Sequence, residues 1–282
     1  LNYNIKVSSS VIGSLRVYLD SQIESVEESI AKIKGCFELD EIKIMLIEND
    51  ILSAVLIQIV VMFAIPMLMY TLLISKNPKL FMGFSDVTVL LNNLYKYSNL
   101  PTVHGLVGIY VGSSNLCDAS REDFKQLLTM NTKGRILKGN EKTKTLVEGE
   151  CVGEITGGNL CLISDLYGTD YEIDFEDKIV LIEEVDEGVY NIDRMFAQLR
   201  LGKSLEKAKG FIFGHFTDCV DSNNENTYEN VIKEYFGNLG VPVIYDFPTG
   251  HAFPFINVPI GLKVKFDATN RTIEILEELY NE

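Results

Sequence analysis

Apolar and polar positions recur along the chain with two different periods, and the order of these periods predicts the fold class. Short apolar runs bounded by turn residues are typical of buried strands, whereas apolar positions three and four residues apart are typical of amphipathic helices. Strands are predicted at residues 3–7, 178–182, 210–216 and 241–245, and helices at 20–33, 87–97, 192–199 and 229–236. Strands that alternate with helices indicate an α/β architecture with mostly parallel sheets.

Two segments depart from this alternation. Residues 51–74 carry no charged side chain and are interrupted by Gln58 and Pro66, so their length alone makes them a candidate membrane span. A buried strand–helix unit and a locally corrupted segment are the two alternatives. Residues 112–150 are polar and rich in Gly and Lys, which favours a linker. We therefore expect an N-terminal domain over residues 1–115, a linker over 116–150 and a C-terminal domain over 151–282.

Composition narrows the class of protein. A chain of 282 residues with 46% apolar side chains can bury a large core. Its net charge of -15 argues against nucleic acid or anionic lipid as a partner, because both require basic surfaces. The five cysteines are widely spaced and form no Cys-x-x-Cys pair, which indicates neither a zinc site nor a disulfide framework. Reduced thiols and the lack of a recognisable signal peptide lead us to expect a cytoplasmic protein.

The motif Gly83-Phe84-Ser85-Asp86 carries the clearest chemical signal. It lies between a basic turn, Lys76-Asn77-Pro78-Lys79, and a largely apolar run that is predicted to be a helix. This is the form of a nucleophile elbow, in which a serine is held on a tight strand-to-helix turn with the helix N-terminus behind its hydroxyl. The motif predicts that Ser85 is the nucleophile of a serine hydrolase.

A serine nucleophile needs a base and a carboxylate that orients the base. His251 follows a predicted strand in a Gly-containing turn, and His104 and His215 are its competitors. Glu183 is the first carboxylate after the apolar run 179–182. It is followed by further acidic residues that are equally available, Glu184, Asp186 and Glu187. The pattern alone favours His251 as the base and leaves the choice of carboxylate open.

Six motifs in a fixed order make the chain resemble the LD-carboxypeptidases, a family of serine peptidases that also includes microcin C self-immunity proteins. The resemblance covers residues 76–282 and, more loosely, 1–45. The motifs are Gly83-Phe84-Ser85-Asp86-Val87-Thr88, His104-Gly105, Gly157-Gly158-Asn159-Leu160, Gly168-Thr169, the acidic run 183–187 with Tyr190-Asn191-Ile192-Asp193-Arg194-Met195, and Gly250-His251.

The resemblance implies a Ser85–Glu183–His251 triad and an oxyanion donor at the backbone N–H of Asp86. The serine would lie in an N-terminal α/β domain of the Rossmann or flavodoxin-like type. The other two residues would lie in a C-terminal α/β domain of the swivelling type. His104 and His215 would then have structural roles.

The same resemblance implies the reaction. The protein would be a cytoplasmic homodimer that needs no metal or other cofactor and binds a muropeptide or another small peptide. It would release the terminal D-alanine of murein tetrapeptides at an L,D bond during cell-wall recycling. The self-immunity branch of the family implies an alternative, a serine peptidase that acts on a peptidyl-nucleotide.

Two departures from the family pattern lead to a third alternative, an inactive or truncated remnant. The first strand and helix usual in the family are missing, and residues 46–75 lack the Gly-Gly turn that lends the second oxyanion amide. No glycine occurs between Gly35 and Gly83. Our hypothesis is that residues 46–75 come from a shifted reading frame or a decaying gene. If the segment is native, we expect reduced activity, because one oxyanion donor is commonly worth about a hundred- to a thousand-fold in rate.

Overall fold

The computed structural model describes residues 65–221 and 226–279, with the backbone alone over 65–70. A compact unit of the chain begins at Tyr70. Several of the sequence predictions lie outside the described residues: the strand at 3–7, the helix at 20–33, most of the candidate membrane span at 51–74 and most of the atypical segment 46–75. Within the described residues, no helix combines the length and apolar character that a membrane crossing requires.

The secondary structure follows the α/β alternation that the sequence predicts. The helices are α1 (Ile65–Lys76), α2 (Thr88–Ser98), α3 (Gly108–Val111), α4 (Asp118–Thr129), α5 (Leu160–Asp165), α6 (Val189–Leu201) and α7 (Tyr228–Phe236). The strands are β1 (Met82–Gly83), β2 (Thr102–His104), β3 (Ile136–Lys138), β4 (Lys144–Val147), β5 (Glu150–Asn159), β6 (Ile179–Val185), β7 (Gly210–Thr217), β8 (Val243–Tyr245), β9 (Val258–Ile260), β10 (Lys263–Asp267) and β11 (Thr272–Ile275). The elements predicted at 87–97, 178–182, 192–199, 210–216, 229–236 and 241–245 are confirmed.

The strands form two sheets, and their directions correct the expectation of mostly parallel pairing. The larger sheet has the order β3-β11-β10-β5-β6-β7-β8-β4. Its four central strands, β5 to β8, run parallel, whereas both flanks pair antiparallel. The smaller sheet has the order β1-β2-β9, with β1 parallel and β9 antiparallel to β2. The fold is therefore a mixed α/β fold.

Strand β6 divides the core between the two faces of the larger sheet. Val180 and Ile182 pack into the cluster that includes Phe196 of α6, on the helical face. Ile179 and Leu181 pack on the opposite face, together with residues of β2 and β9 from the smaller sheet. This division follows from the two-residue period of a strand, which sends successive side chains to opposite faces. The same alternation decides where the next two side chains of β6 lie.

Residues 116–150, predicted as a linker, are largely built into the fold. They contain α4, β3 and β4, and both strands belong to the larger sheet. Polar residues dominate here because β3 and β4 are the edge strands of that sheet, with exposed side chains at Ile136, Lys138 and Lys144. The proposed boundaries at 115 and 151 stay a prediction, but β9, from the predicted C-terminal domain, completes the smaller sheet.

Candidate active site

Ser85 lies on a sharp turn between β1 and α2, as the elbow motif predicts. Its backbone has φ of +61°, a left-handed conformation that residues other than glycine rarely adopt because it costs free energy. A one-turn 3-10 helix, Ser85–Val87, follows and runs directly into α2. A Cβ on Gly83 would come within 2.9 Å of Val87, so the tightness of this turn requires glycine. The geometry is that of a nucleophile elbow.

The backbone N–H of Asp86 lies in the first turn of that 3-10 helix. The first bonds of the turn are donated by the N–H of Val87 to the Phe84 carbonyl and by the N–H of Thr88 to the Ser85 carbonyl. Neither bond uses the Asp86 N–H. The turn therefore leaves this donor beside the serine, where an oxyanion donor is needed.

Glu183 and His251 form a direct pair. His251 Nδ1 lies 2.7 Å from Glu183 Oε2, so an N–H at Nδ1 donates to the carboxylate. Glu183 follows Ile179 and Leu181 in the alternation of β6, which directs its side chain to the face of the smaller sheet, and the residue is fully buried. Gly250 has φ of +110° and a Cβ there would meet Glu183 Oε2 at 2.9 Å, so glycine is required for this approach.

The neighbouring carboxylate, Glu184, lies on the opposite face. Its oxygens accept hydrogen bonds from Asn159 Nδ2 and the Cys161 N–H, each at 2.8 Å, and from the Val185 N–H at 2.9 Å. These bonds fasten the N-terminus of α5 to β6, while burial raises the pKa of Glu184. The choice that the sequence left open is thereby narrowed: of the four acidic residues, Glu183 is the one that contacts the imidazole.

The Gly157-Gly158 pair of the family motif lies at the end of β5. Helix α5 begins at Leu160, and the Asn159 side chain caps it by accepting from the Leu162 N–H. Gly158 allows the close packing of α2 on β5, because a Cβ there would meet Thr88 Oγ1 at 2.4 Å. Gly157 allows the close approach of β5 to β6, because a Cβ there would meet the Leu181 carbonyl oxygen at 2.1 Å.

Phe84, the residue before Ser85, contacts the imidazole of His251. The rings of Phe84 and His251 lie edge to face with centroids 4.8 Å apart. Within the described part of the chain no hydrogen bond joins the Ser85 hydroxyl to the imidazole. Nucleophile–base hydrogen bonds are often long in ligand-free sites and shorten when substrate binds. The arrangement therefore places a serine, an imidazole and a buried carboxylate at one site.

The two competing histidines pack near this site but have different partners. His104 on β2 is fully buried, stacks on Phe255 with ring centroids 5.7 Å apart, and burial lowers its pKa to about 4. His215 on β7 bonds through Nε2 to the Pro254 carbonyl at 3.1 Å, and burial lowers its pKa as well. Neither imidazole bonds to a carboxylate in the described residues. His215 instead holds the loop on which His251 lies.

Helix α4 holds the same loop from the other side, a contribution that sequence reasoning missed. Ser120 Oγ accepts a hydrogen bond from the Phe255 N–H at 2.7 Å. Asp123, one helical turn later, accepts from the N–H and the side-chain amide of Asn257 at 2.8 and 2.6 Å, and pairs with Arg135. The only sequence signal for these contacts is the i, i+3 spacing of Ser120 and Asp123 on one helix face.

Two cavities lie in this part of the chain. A small one of about 40 Å³ adjoins His251. A larger open groove of about 820 Å³ lies along α5 and α6 and is lined by residues that include Glu187 and Arg194, but not by Ser85, Glu183 or His251. We take the smaller cavity as part of the site, because His251 itself forms its wall. Among the described residues, no cluster of His, Cys, Asp or Glu is arranged to hold a metal ion.

An elbow serine beside a buried carboxylate–imidazole pair is typical of serine hydrolases. Comparison with known proteins is more specific. The N-terminal domain of LD-carboxypeptidases matches residues 60–105, and the C-terminal domain of LD-carboxypeptidases matches residues 152–266. The chain belongs to the LD-carboxypeptidase family of serine peptidases.

Individual relatives agree with this assignment. The probable murein peptide carboxypeptidase of Bacillus subtilis is 35% identical over 206 residues, which are 72% of this chain and 64% of that protein. The microcin C7 self-immunity protein MccF of Escherichia coli is 28% identical over 76% of this chain and 70% of its own length. The match thus spans just under two thirds of the Bacillus subtilis relative.

Solved structures show the same fold. The structure of MccF in complex with glutamyl sulfamoyl guanosine superposes with a TM-score of 0.66 at 24% identity, over 74% of this chain and 70% of MccF. At this level of identity the likeness establishes the fold alone.

Proposed function

We propose that the protein is a serine carboxypeptidase that cleaves an L,D-peptide bond and releases the terminal D-alanine of a murein tetrapeptide in cell-wall recycling. The observation that carries the proposal is the Glu183–His251 hydrogen bond, whose imidazole contacts Phe84 on the turn that carries the elbow serine. Membership of the LD-carboxypeptidase family and the similarity to a probable murein peptide carboxypeptidase support the substrate class. The homodimer, the cytoplasmic location and the Rossmann-like and swivelling domain types stay predictions.

In the proposed mechanism Ser85 Oγ attacks the carbonyl carbon of the scissile peptide while His251 Nε2 takes its proton. Glu183 holds the imidazole in the tautomer with hydrogen on Nδ1 and stabilises the imidazolium that forms. The Asp86 N–H donates to the oxyanion. His251 then returns its proton to the leaving amine, D-alanine departs, and water hydrolyses the acyl-enzyme by the same proton transfers in reverse order.

The substitution Ser85→Ala tests this mechanism. We expect hydrolysis of a murein tetrapeptide to fall on the order of a million-fold, because loss of the nucleophile leaves only binding and oxyanion stabilisation. The measurement is D-alanine release from the tetrapeptide by the full chain, with circular dichroism to check the fold. Ser114→Ala, at an exposed position away from the site, is the matched control and should keep the wild-type rate. Equal rates for the two variants would contradict the assignment of Ser85.

A second candidate is hydrolysis of a peptidyl-nucleotide, favoured by the similarity to MccF in sequence and fold. The two candidates share the chemistry and differ in the leaving group. Hydrolysis of a glutamyl sulfamoyl nucleoside at a kcat/KM above that for the murein tetrapeptide would favour this candidate. If the tetrapeptide is the better substrate by kcat/KM, the carboxypeptidase assignment stands.

A further inference from the structure

The small cavity beside His251 is lined mainly by aromatic rings and is partly open. Its walls include Phe84, Leu106, Tyr110, Phe253, Phe255 and the imidazole of His251. The Phe84 ring lies 5.2 Å from that of Phe255 and 5.7 Å from that of Tyr110, and the Tyr110 and Phe253 rings are 5.9 Å apart, measured between centroids. We refer to this cavity as the aromatic pocket.

The chemistry of the aromatic pocket selects an apolar occupant. No Asp, Glu, Lys or Arg side chain lines it within the described residues. Its rings belong to an apolar cluster in which Phe84, Leu106 and Phe255 are buried. A carboxylate in such a place would lose its hydration with no cation to replace it, whereas an alkyl group is stabilised by leaving water.

The size of the aromatic pocket limits that occupant to a small group. The cavity holds about 40 Å³. A water molecule takes up about 30 Å³ of the liquid, and a methyl group is of about the same size. The pocket therefore fits one methyl group well, and a branched or longer alkyl group would exceed its volume.

The position of the aromatic pocket identifies which substrate group reaches it. Phe84 directly precedes Ser85, and His251 forms part of the wall. In acyl transfer the base that activates the serine later protonates the leaving amine, so the leaving residue must lie against that imidazole. The side chain of the leaving residue is thus the nearest substrate group to the pocket.

We propose that the aromatic pocket receives the side chain of the residue that the enzyme releases and restricts that residue to alanine-sized side chains. This inference rests on the proposed function. The pocket thereby acts as a specificity site, in which Phe253 and Ala252 set the available volume.

A series of peptides that differ only in the C-terminal residue tests the proposal. The series shares three residues and ends in glycine, D-alanine, D-valine or D-leucine, and the readout is kcat/KM for the full-length chain. D-alanine should be the best leaving residue. Glycine should be about 10-fold poorer, since one methyl in a hydrophobic pocket is worth about 10- to 200-fold, and the two larger residues about 100-fold poorer or more.

Two substitutions change the pocket in opposite directions. Phe253→Ala removes a wall, so the kcat/KM ratio of D-leucine to D-alanine should rise at least about 100-fold. Ala252→Leu fills the pocket, so D-alanine should lose its advantage over glycine. Phe124→Ala is the matched control, because Phe124 packs against the same cluster without lining the pocket. It should leave the order of leaving residues unchanged.

Binding to the Ser85→Ala protein separates this proposal from the proposed function. The Kd values of the same peptides, measured by calorimetry, should rank the last residues in the same order as kcat/KM does. Adding Phe253→Ala should shift this ranking towards D-leucine, as it does for kcat/KM. If no peptide is hydrolysed but binding keeps that order, the carboxypeptidase assignment fails and the pocket assignment stands. If kcat/KM or Kd does not depend on the size of the last residue, the pocket assignment is wrong. If the peptides are neither hydrolysed nor bound, the carboxypeptidase assignment and the pocket assignment are both wrong.

Discussion

At the scale of single residues, His104 couples the region around the active site to pH. Its ring is fully buried among Phe84 and Phe255, and neither ring nitrogen has a hydrogen-bond partner in the described residues. Burial lowers its pKa from 6.5 to about 4 because the charged imidazolium would lose its hydration. The folded protein therefore carries His104 neutral at pH values where the unfolded chain is already protonated.

This difference predicts acid sensitivity. His104 does not lower the free energy of unfolding above pH 6.5, where it is neutral in both states. Between pH 6.5 and 4 only the unfolded chain binds the proton, so the free energy of unfolding falls by about 1.4 kcal/mol per pH unit and about 3 kcal/mol in total. A His104→Met variant should lose this part of the pH dependence. The measurement is the free energy of unfolding in urea at pH 7, 5.5 and 4.5. His215, whose pKa is also lowered, remains in both proteins and cancels in the comparison. Parallel curves for the two proteins would contradict the prediction.

The residues of the candidate site differ in how far the sequence could predict them. Ser85 was predictable because the elbow is a local motif, and its positive φ fits that prediction. The choice between Glu183 and Glu184 depends on which face of β6 each side chain takes, a matter of strand alternation relative to both sheets. The sequence of this strand shows that successive side chains lie on opposite faces of the sheet. It does not show which of the two faces lies against His251.

At the scale of secondary-structure elements, the position of His251 depends on α4. His251 lies in the connection between β8 and β9, outside any regular element. Asp123 holds the far end of that connection through Asn257, whose side-chain oxygen accepts from the Leu106 N–H at 2.9 Å. One partly buried carboxylate thus links α4, the His251 connection and, through Asn257, the segment after β2.

We predict that Asp123→Ala lowers kcat for the tetrapeptide about 100-fold, because a displacement of about 1 Å in a catalytic group can cost that much. The variant also leaves the partly buried Arg135 without its carboxylate, so a loss of stability is expected. The assay must therefore be run where circular dichroism shows a folded protein. Glu122→Ala, at an exposed position on the same helix, is the control and should keep the wild-type kcat. A folded Asp123→Ala protein with unchanged kcat would show that α4 does not position His251.

At the scale of the whole molecule, local sequence patterns predicted the helices and strands better than they predicted which strands pair in the sheets. The central strands and the helices between them were predictable because each carries its own periodicity. The pairing of β9 with β2 was not, since it joins residues more than 150 positions apart. The polar composition of 116–150 indicated a linker, because the edge strands β3 and β4 bury too few side chains to produce a strand-like pattern.

Asn92 joins the parts of the chain that match the two family domains. It lies on α2, within residues 60–105, and contacts β5, within residues 152–266. Its side-chain oxygen accepts from Thr156 Oγ1 at 2.9 Å and from the Gly157 N–H at 3.0 Å, and its Nδ2 donates to the Gly157 carbonyl at 2.9 Å. All these groups are buried, so no water would replace the amide if it were removed.

We therefore predict that Asn92→Ala destabilises the protein by at least about 2 kcal/mol, because each buried polar group left unpaired costs about 1–3 kcal/mol. Asn93→Ala is the matched control one position along α2, and its amide bonds only to the carbonyls of Val89 and, at 3.4 Å, Tyr171. Its cost should stay below about 1 kcal/mol. Urea unfolding followed by far-ultraviolet circular dichroism is the measurement, since the chain contains no tryptophan. If both substitutions cost the same, the buried amide does not hold α2 to β5, and Thr88 must do so through its packing on Gly158 and its hydrogen bond from the Asn159 N–H.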